Sequence, residues 1–271
     1  MKTFVINLDK YQDNFNYQKP YLENVGLEVY RFKGINAIQN EHLEYKKMIN
    51  PQALNYCPNS ILGCSLSHIL LSLHITNLDS EITLIMEDDA FPKFDKELFQ
   101  NKLKNTINDI QILDKDWDII QLHSDAPFPT YNTYCIHPLC GSTAAYLISK
   151  KGAIKMSKEK STWHIDIHTS ANPKFKKYRS KENLFWTKEE TSLNRNLNSS
   201  LLTNLISEFL TIIIPLRGEK TWNDFLNFKI IKLKNKDIYA FEIINNLLFF
   251  IFLKYISNIF RKRLTLTFKF L

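Results

Sequence analysis

Glycine is scarce in this chain, six in 271 residues. That excludes collagen-like repeats and glycine-rich linkers, and leaves no glycine loop to cradle phosphates. Neither G-x-x-x-x-G-K-[ST], nor G-x-G-x-x-G, nor G-x-S-x-G occurs. Cysteine is scarce too. Cys57, Cys64, Cys135 and Cys140 form no C-x-x-C pair and match no zinc finger or ribbon, so they read as reduced thiols acting as small core residues. The opening apolar run, Thr3 to Ile6, is interrupted by Asn7 and Asp9 and is too short for a signal-peptide core. It reads as a first strand, and the protein as cytoplasmic. There is no internal repeat and no low-complexity linker.

Hydrophobic residues are 44% and charged residues 23%, values that exclude a disordered or fibrous chain and supply a sizeable core. Thirty-five Lys+Arg against 28 Asp+Glu give a formal +7. Such a balance implies an anionic partner: nucleic acid, a membrane surface or a phosphorylated substrate.

Apolar periodicity predicts strands over Thr3–Leu8, Leu27–Phe32, Ile82–Met86 and Trp117–Leu122, with a strand or strand-turn over Ser142–Ile148. It predicts helices over Asp9–Asn24, Gly63–Leu78, Phe94–Leu113 and Ser149–Met156. Ile82–Met86 is continuously apolar, as a central parallel strand is. Alternating strands and helices give an α/β fold, a mostly parallel central sheet flanked by helices. Ligands in such sheets bind beyond the carboxyl ends of the strands.

The tail differs. Ile238 to Phe260 is very apolar, unbroken over Leu247–Leu253, then come Arg261-Lys262-Arg263 and alternating Leu264, Leu266, Phe268 and Phe270. Glu242, Asn245, Asn246 and Lys254 make it a poor transmembrane span. Two readings stand: a buried terminal helix and strand, or an interfacial anchor with its cations at the headgroups. Cations beside aromatics suit a membrane surface better than a DNA groove, so nucleic acid is not an expected partner.

Glu87-Asp88-Asp89 follows the buried strand directly. Three clustered carboxylates repel one another unless a cation joins them, and hard oxygen donors suit Mg²⁺ or Mn²⁺. In an extended segment Glu87 and Asp89 share a face and Asp88 points away. The plainer alternative is a solvated acidic turn.

Five motifs occur in order: Ile6-Asn7-Leu8-Asp9; Leu62-Gly63-Cys64-Ser65-Leu66-Ser67-His68; Leu84-Ile85-Met86-Glu87-Asp88-Asp89; Gly141-Ser142-Thr143-Ala144-Ala145-Tyr146-Leu147-Ile148-Ser149 with Gly152-Ala153; and Asp166. This order, over about residues 3 to 192, resembles glycosyltransferase family 25, the lipooligosaccharide-biosynthesis group that includes the collagen hydroxylysine galactosyltransferases. The resemblance implies a GT-A type fold, a nucleotide-sugar donor, usually UDP-galactose, inversion at the sugar, and a Mn²⁺-like cation at the acidic triplet. Two departures stand out. Asp9 is followed by Lys10-Tyr11-Gln12-Asp13-Asn14 where the family has arginines, so Lys10 or Lys19 must substitute. Asp166 stands in His164-Ile165-Asp166-Ile167-His168 where the family reads Pro-x-Asp.

The expected organisation is a transferase domain over 1–195 and a C-terminal apolar and basic helical extension over 196–271. Donor contacts are expected from Asn7, Asp9, Gly63, Ser67, His68, Asp88, Gly141, Thr143 and Tyr146, and metal ligation from Glu87, Asp89 and His168. Asp166 is the candidate general base, with Glu87, Asp88 and Asp125 next. His164, Asp166 and His168 alternate and would share one face of an extended segment, where His168 ligates metal or meets the acceptor. His68 either caps its helix or lies near the donor. The expected function is metal-dependent transfer of a hexose, galactose first, to a lipid-linked or oligosaccharide acceptor at the inner face of a membrane, touched by the tail. A non-catalytic carbohydrate-binding protein and a metal-dependent phosphohydrolase are the rivals.

Overall fold

The computed structural model describes residues 1–50, 54, 59–124, 142–161, 165–172 and 174–188, and the backbone of Lys229–Leu233 and Lys236–Tyr239. The chain divides into two compact units, Met1–Glu219 and Lys220–Leu271. The boundary expected at 195/196 lies outside the described residues.

The first unit alternates strands and helices: β1 Lys2–Asn7, α1 Gln12–Asn24, β2 Glu28–Lys33, α2 Asn59–Thr76, β3 Ile82–Glu87, β4 Ala90–Pro92, α3 Lys96–Leu113, β5 Ile119–Gln121, β6 Ala145–Ser149, α4 Lys150–Met156, α5 Ile165–Ala171, β7 Lys177–Arg179 and β8 Phe185–Thr187. Short 3₁₀ turns cover Asp9–Tyr11, Ala37–Gln39 and Glu41–Met48. Six strands form one sheet in the order β2-β1-β3-β6-β5-β7. All run parallel except β6, which is antiparallel to both of its neighbours. Strands β4 and β8 make a separate antiparallel pair.

Side chains alternate across the sheet, and both faces are covered. On one face Val5, Leu84, Met86, Ile120 and Leu147 pack with Phe15 and Leu22 of α1 and Phe99, Leu103 and Ile110 of α3. On the other, Phe4, Ile85, Ile119, Tyr146 and Ile148 pack with Ile69 and Ile75 of α2, Ala153 and Met156 of α4, and Ile165 of α5. Burial on both faces is why Ile82–Met86 is continuously apolar. This is the α/β, mostly parallel, helix-flanked sheet that the sequence leads one to expect.

Helix caps and close approaches fix the layers. Asp95 accepts from the Leu98 N–H to start α3, and Ser149 accepts from the Gly152 N–H to start α4. Helix α2 begins a turn earlier than expected, at Asn59. Its Gly63 lies so close to the chain after β2 that a Cβ there would sit 2.5 Å from the Ile35 carbonyl oxygen.

Two expectations need correction. Residues 165–168 are not an extended segment: Ile165–Ala171 is helical, which turns Asp166 and His168 roughly 200° apart about the helix axis rather than onto one face, and His164 lies outside the described residues. A two-residue alternation this short fits either period, and packing of Ile165 into the core decides for helix. In the second unit, Lys229–Leu233 (β9) and Lys236–Tyr239 (β10) form an antiparallel pair, so the apolar run from Ile238 opens as strand rather than helix. The rest of that run lies outside the described residues. Among the described residues no helix is long and apolar enough to cross a membrane.

Candidate active site

The parallel strands end at one edge of the sheet, where β6 begins. Met86 of β3 pairs with Ala145 of β6, and the Glu87 N–H donates to the Ala144 carbonyl at 3.0 Å. Asn7 at the end of β1, the acidic triplet after β3 and Thr143 before β6 therefore meet at this edge. Helix α1 is tied to the same place: Gln18 Nε2 donates to the carbonyls of Glu87 at 2.8 Å and Ala90 at 2.5 Å.

The three carboxylates have three different surroundings. Glu87 Oε1 accepts from the Thr143 hydroxyl, and lies 3.5 Å from His68 Nε2 and 4.0 Å from Cys64 Sγ. Asp88 Oδ2 accepts from Asn7 Nδ2 at 2.6 Å. Burial, then the Glu87 charge, push the Asp88 carboxyl above its ordinary range, while the Asn7 hydrogen bond opposes this. Asp89 Oδ1 is buried and has no hydrogen-bond partner among the described residues. Burial, then Glu87 and Asp88, push the Asp89 carboxyl up to about 7, with His123 pulling the other way. The strand ends at Glu87 and a turn follows, so the extended-chain rule for 87–89 does not apply.

Asn7 is buried and engaged on every polar atom of its side chain. It donates to Asp88 and to the Tyr11 carbonyl, and its Oδ1 accepts from Arg31 Nε at 2.7 Å. Arg31 also pairs with Asp9 at 2.6 Å, and Lys33 pairs with Asp9 at 2.9 Å. These two cations hold the exposed Asp9 carboxyl below its usual range. The cations expected in this neighbourhood were Lys10 and Lys19. Lys10 instead lies over the Tyr11 ring and Lys19 pairs with Glu23, four residues along α1. The guanidinium beside the first motif comes from β2, as Arg31.

Gly63 and Ser67 dock helix α2. The Ser67 hydroxyl accepts from the Ile35 N–H at 2.8 Å and donates to the Gly63 carbonyl at 2.6 Å. His68, one turn after Cys64, is fully buried, and its Nδ1 lies 2.9 Å from the Tyr146 hydroxyl. Burial, then Cys64 and Glu87, raise that phenol well above its ordinary range.

Asp166 sits in the first turn of α5, where its charge reaches the Cys64 thiol. Burial, then Glu87, Asp166 and Asp89, raise that thiol well above its ordinary range. The Asp166 charge thus bears on the same thiol as those of Glu87 and Asp89. His168 does not share this role: its Nε2 is 3.0 Å from Glu159 Oε2, an ion pair when protonated, and no contact joins it to the triplet among the described residues. Gly141 and Asp125 lie outside the described residues. Sequence reasoning passed over Arg31, Gln18 and Cys64. Only Cys64 carried a usable signal, standing four residues before His68 on a predicted helix and hence on its face.

The model of glycosyltransferase family 25 (LPS biosynthesis protein) matches residues 1–171. The chain belongs to this family. Procollagen galactosyltransferase 1-B of Xenopus laevis is 26% identical over 175 residues, 57% of this chain and 28% of that protein, so the chain spans under a third of its relative. Among solved structures, a glycosyltransferase involved in the glycosylation of the major capsid of PBCV-1 covers 78% of this chain and 98% of its own, at 12% identity and a TM-score of 0.41. In this family-25 chain the matched residues include Asn7, Cys64, His68, the whole acidic triplet, Thr143, Tyr146 and Asp166.

Proposed function

We propose that this family-25 chain transfers a hexose from a nucleoside-diphosphate sugar to a glycan hydroxyl, with inversion and with a divalent cation at the triplet. One observation carries the reading: three carboxylates at the carboxyl end of the central strand, one of them with a buried, unpartnered oxygen. A hard divalent cation fits that donor set, because it offsets the burial and the neighbouring charges that raise Asp88 and Asp89 and takes up a lone pair of Asp89 Oδ1. Asp89 and Glu87 would hold Mn²⁺ or Mg²⁺. Bound there, the ion supplies charge neutralisation for the departing diphosphate.

The chain's own residues do the rest. Asn7 holds Asp88 in place, and Arg31 holds Asn7, so a positive charge from β2 backs the triplet. Asp166, whose charge bears on the same thiol as those of Glu87 and Asp89, accepts the proton of the attacking hydroxyl. Galactose from UDP-galactose is the proposed donor, supported by the name of the Xenopus relative. The proposed acceptor is a lipid-linked or cell-surface oligosaccharide, reached from the cytoplasmic side, with the apolar and basic tail touching the membrane.

The test is a panel of nucleotide-sugars with Mn²⁺, scored for nucleotide release with and without oligosaccharide acceptors. Acceptor-dependent release that chelator abolishes is the expected result. Release equally fast without acceptor would make the chain a phosphohydrolase, and binding without release a lectin-like protein.

A further inference from the structure

We infer that Cys64, His68 and Glu87 form a second metal site, built for a borderline-soft divalent ion of the Zn²⁺ class and sharing only Glu87 with the hard-oxygen site proposed at Asp89. The donor atoms Sγ, Nε2 and Oε1 all lie within 4.8 Å of one another. Tetrahedral zinc with bonds of about 2.0–2.1 Å to nitrogen and oxygen and about 2.3 Å to sulfur needs N···O edges of about 3.4 Å and S···O edges of about 3.6 Å. The observed separations, 3.5 Å for His68 to Glu87 and 4.0 Å for Cys64 to Glu87, approach these before any ion is considered.

The second observation is the histidine itself. Its side chain is 1% exposed, and among the described residues Nε2 has no hydrogen-bond partner although it faces Glu87. A buried ring nitrogen without a partner is costly, and a metal bond removes that cost. The surroundings match what a ligating set needs. Metal-bound histidines give their other ring nitrogen to a neighbour, and ligating carboxylates are themselves hydrogen-bonded. Here Tyr146 meets His68 Nδ1 at 2.9 Å, and Thr143 donates to Glu87 Oε1. In the bound form the Nδ1–H donates to the Tyr146 oxygen, which leaves the Nε2 lone pair for the metal.

Cys64 and His68 are four residues apart on the eighteen-residue helix α2 and so project from one face. Three protein donors leave a fourth tetrahedral position open, the arrangement of catalytic rather than structural zinc. A thiolate and an imidazole select zinc, cobalt or copper over magnesium, calcium and manganese, which the all-oxygen pair of Asp89 and Glu87 suits instead. Binding is a ligand exchange without redox: the Cys64 S–H proton leaves to solvent as the sulfur–metal bond forms. Glu87, 30% exposed, stands between the two donor sets.

Cobalt is the probe. The metal-stripped full-length protein is titrated with Co²⁺ and followed by absorbance. One equivalent is expected to give a thiolate-to-cobalt charge-transfer band with tetrahedral d–d bands, displaced by Zn²⁺. The bands should persist in the Cys57→Ser, Cys135→Ser, Cys140→Ser triple variant and in Asp89→Asn, and vanish in Cys64→Ser. Tyr146→Phe should weaken binding about 10–100-fold. No thiolate band in the unsubstituted protein, a band that survives Cys64→Ser, or one lost with Asp89→Asn would overturn the assignment. Should Cys64→Ser fail to fold, maleimide labelling of the triple variant decides: saturating Zn²⁺ slows labelling of Cys64 at least tenfold, and an unchanged rate rejects the site. None of these readouts involves sugar transfer, so they stand or fall apart from the proposed activity.

Discussion

Asp89 turns one carboxyl oxygen away from water, with two other acids beside it. Its carboxyl is held at about 7 in the fold against an ordinary 3.8. Between those values the unfolded chain has lost the proton that the folded chain keeps. Stability in the presence of chelator should therefore fall as pH rises from about 4 to about 7, by at most about 1.4 kcal/mol per unit, and level off above. Denaturant melts at a series of pH values measure this, and Asp89→Asn should flatten the slope. Asp166 is a test of chemistry rather than stability. Asp166→Asn keeps the shape but cannot take a proton, so turnover should drop by about two to four decades while nucleotide-sugar affinity is kept. Calorimetry beside rate measurement separates the two, and a near-normal rate would move the base elsewhere. At this scale the sequence was partly legible. The triplet, Asn7, His68 and Thr143 do meet at one edge. Arg31 was invisible because its role depends on β2 lying beside β1, a pairing between residues more than twenty apart. His168 misled because the alternation 164–168 fits strand and helix equally.

At the scale of elements, the strands and long helices were readable because burial on both faces writes continuous apolar runs, and amphipathic helices write a 3.6-residue period. The direction of β6 was not readable, since pleat and burial look the same either way along a strand. Nor were β4 and β8, at three residues each too short to carry a pattern. The docking of α2 was legible only as a glycine at the right place. Gly63→Ala would set a methyl 2.5 Å from the Ile35 carbonyl oxygen, a backbone atom that cannot swing aside. Thermal melts should show a loss of about 1–3 kcal/mol. Because His68 is five residues further along the same helix, Co²⁺ affinity should fall with it.

For the whole molecule, the formal +7 and the run Arg261-Lys262-Arg263 beside aromatic residues set the expected behaviour at membranes. A cation near an anionic bilayer is worth about 1 kcal/mol, so three change partitioning by roughly two decades. The full-length protein is expected to sediment with phosphatidylserine-containing vesicles at low salt and to be partly released at high salt. Replacing all three cations by serine should abolish the salt-dependent part. Sedimentation independent of salt, or none, would return the tail to the core.

The reversed strand β6 has a consequence for how the molecule assembles. It lies between β3 and β5, yet follows both in the chain. Until it arrives, β5 has no place in the sheet, and β7 has none without β5. Half of the sheet must therefore wait for residues 145–149, and the closing strand is the one that brings Thr143 against Glu87 and Tyr146 against His68. Pulse-labelled refolding should show the Ile120 and Leu147 amides gaining protection in one phase, later than those of β1. The hydroxyls that Glu87 and His68 meet, those of Thr143 and Tyr146, therefore reach them only once β6 is in place.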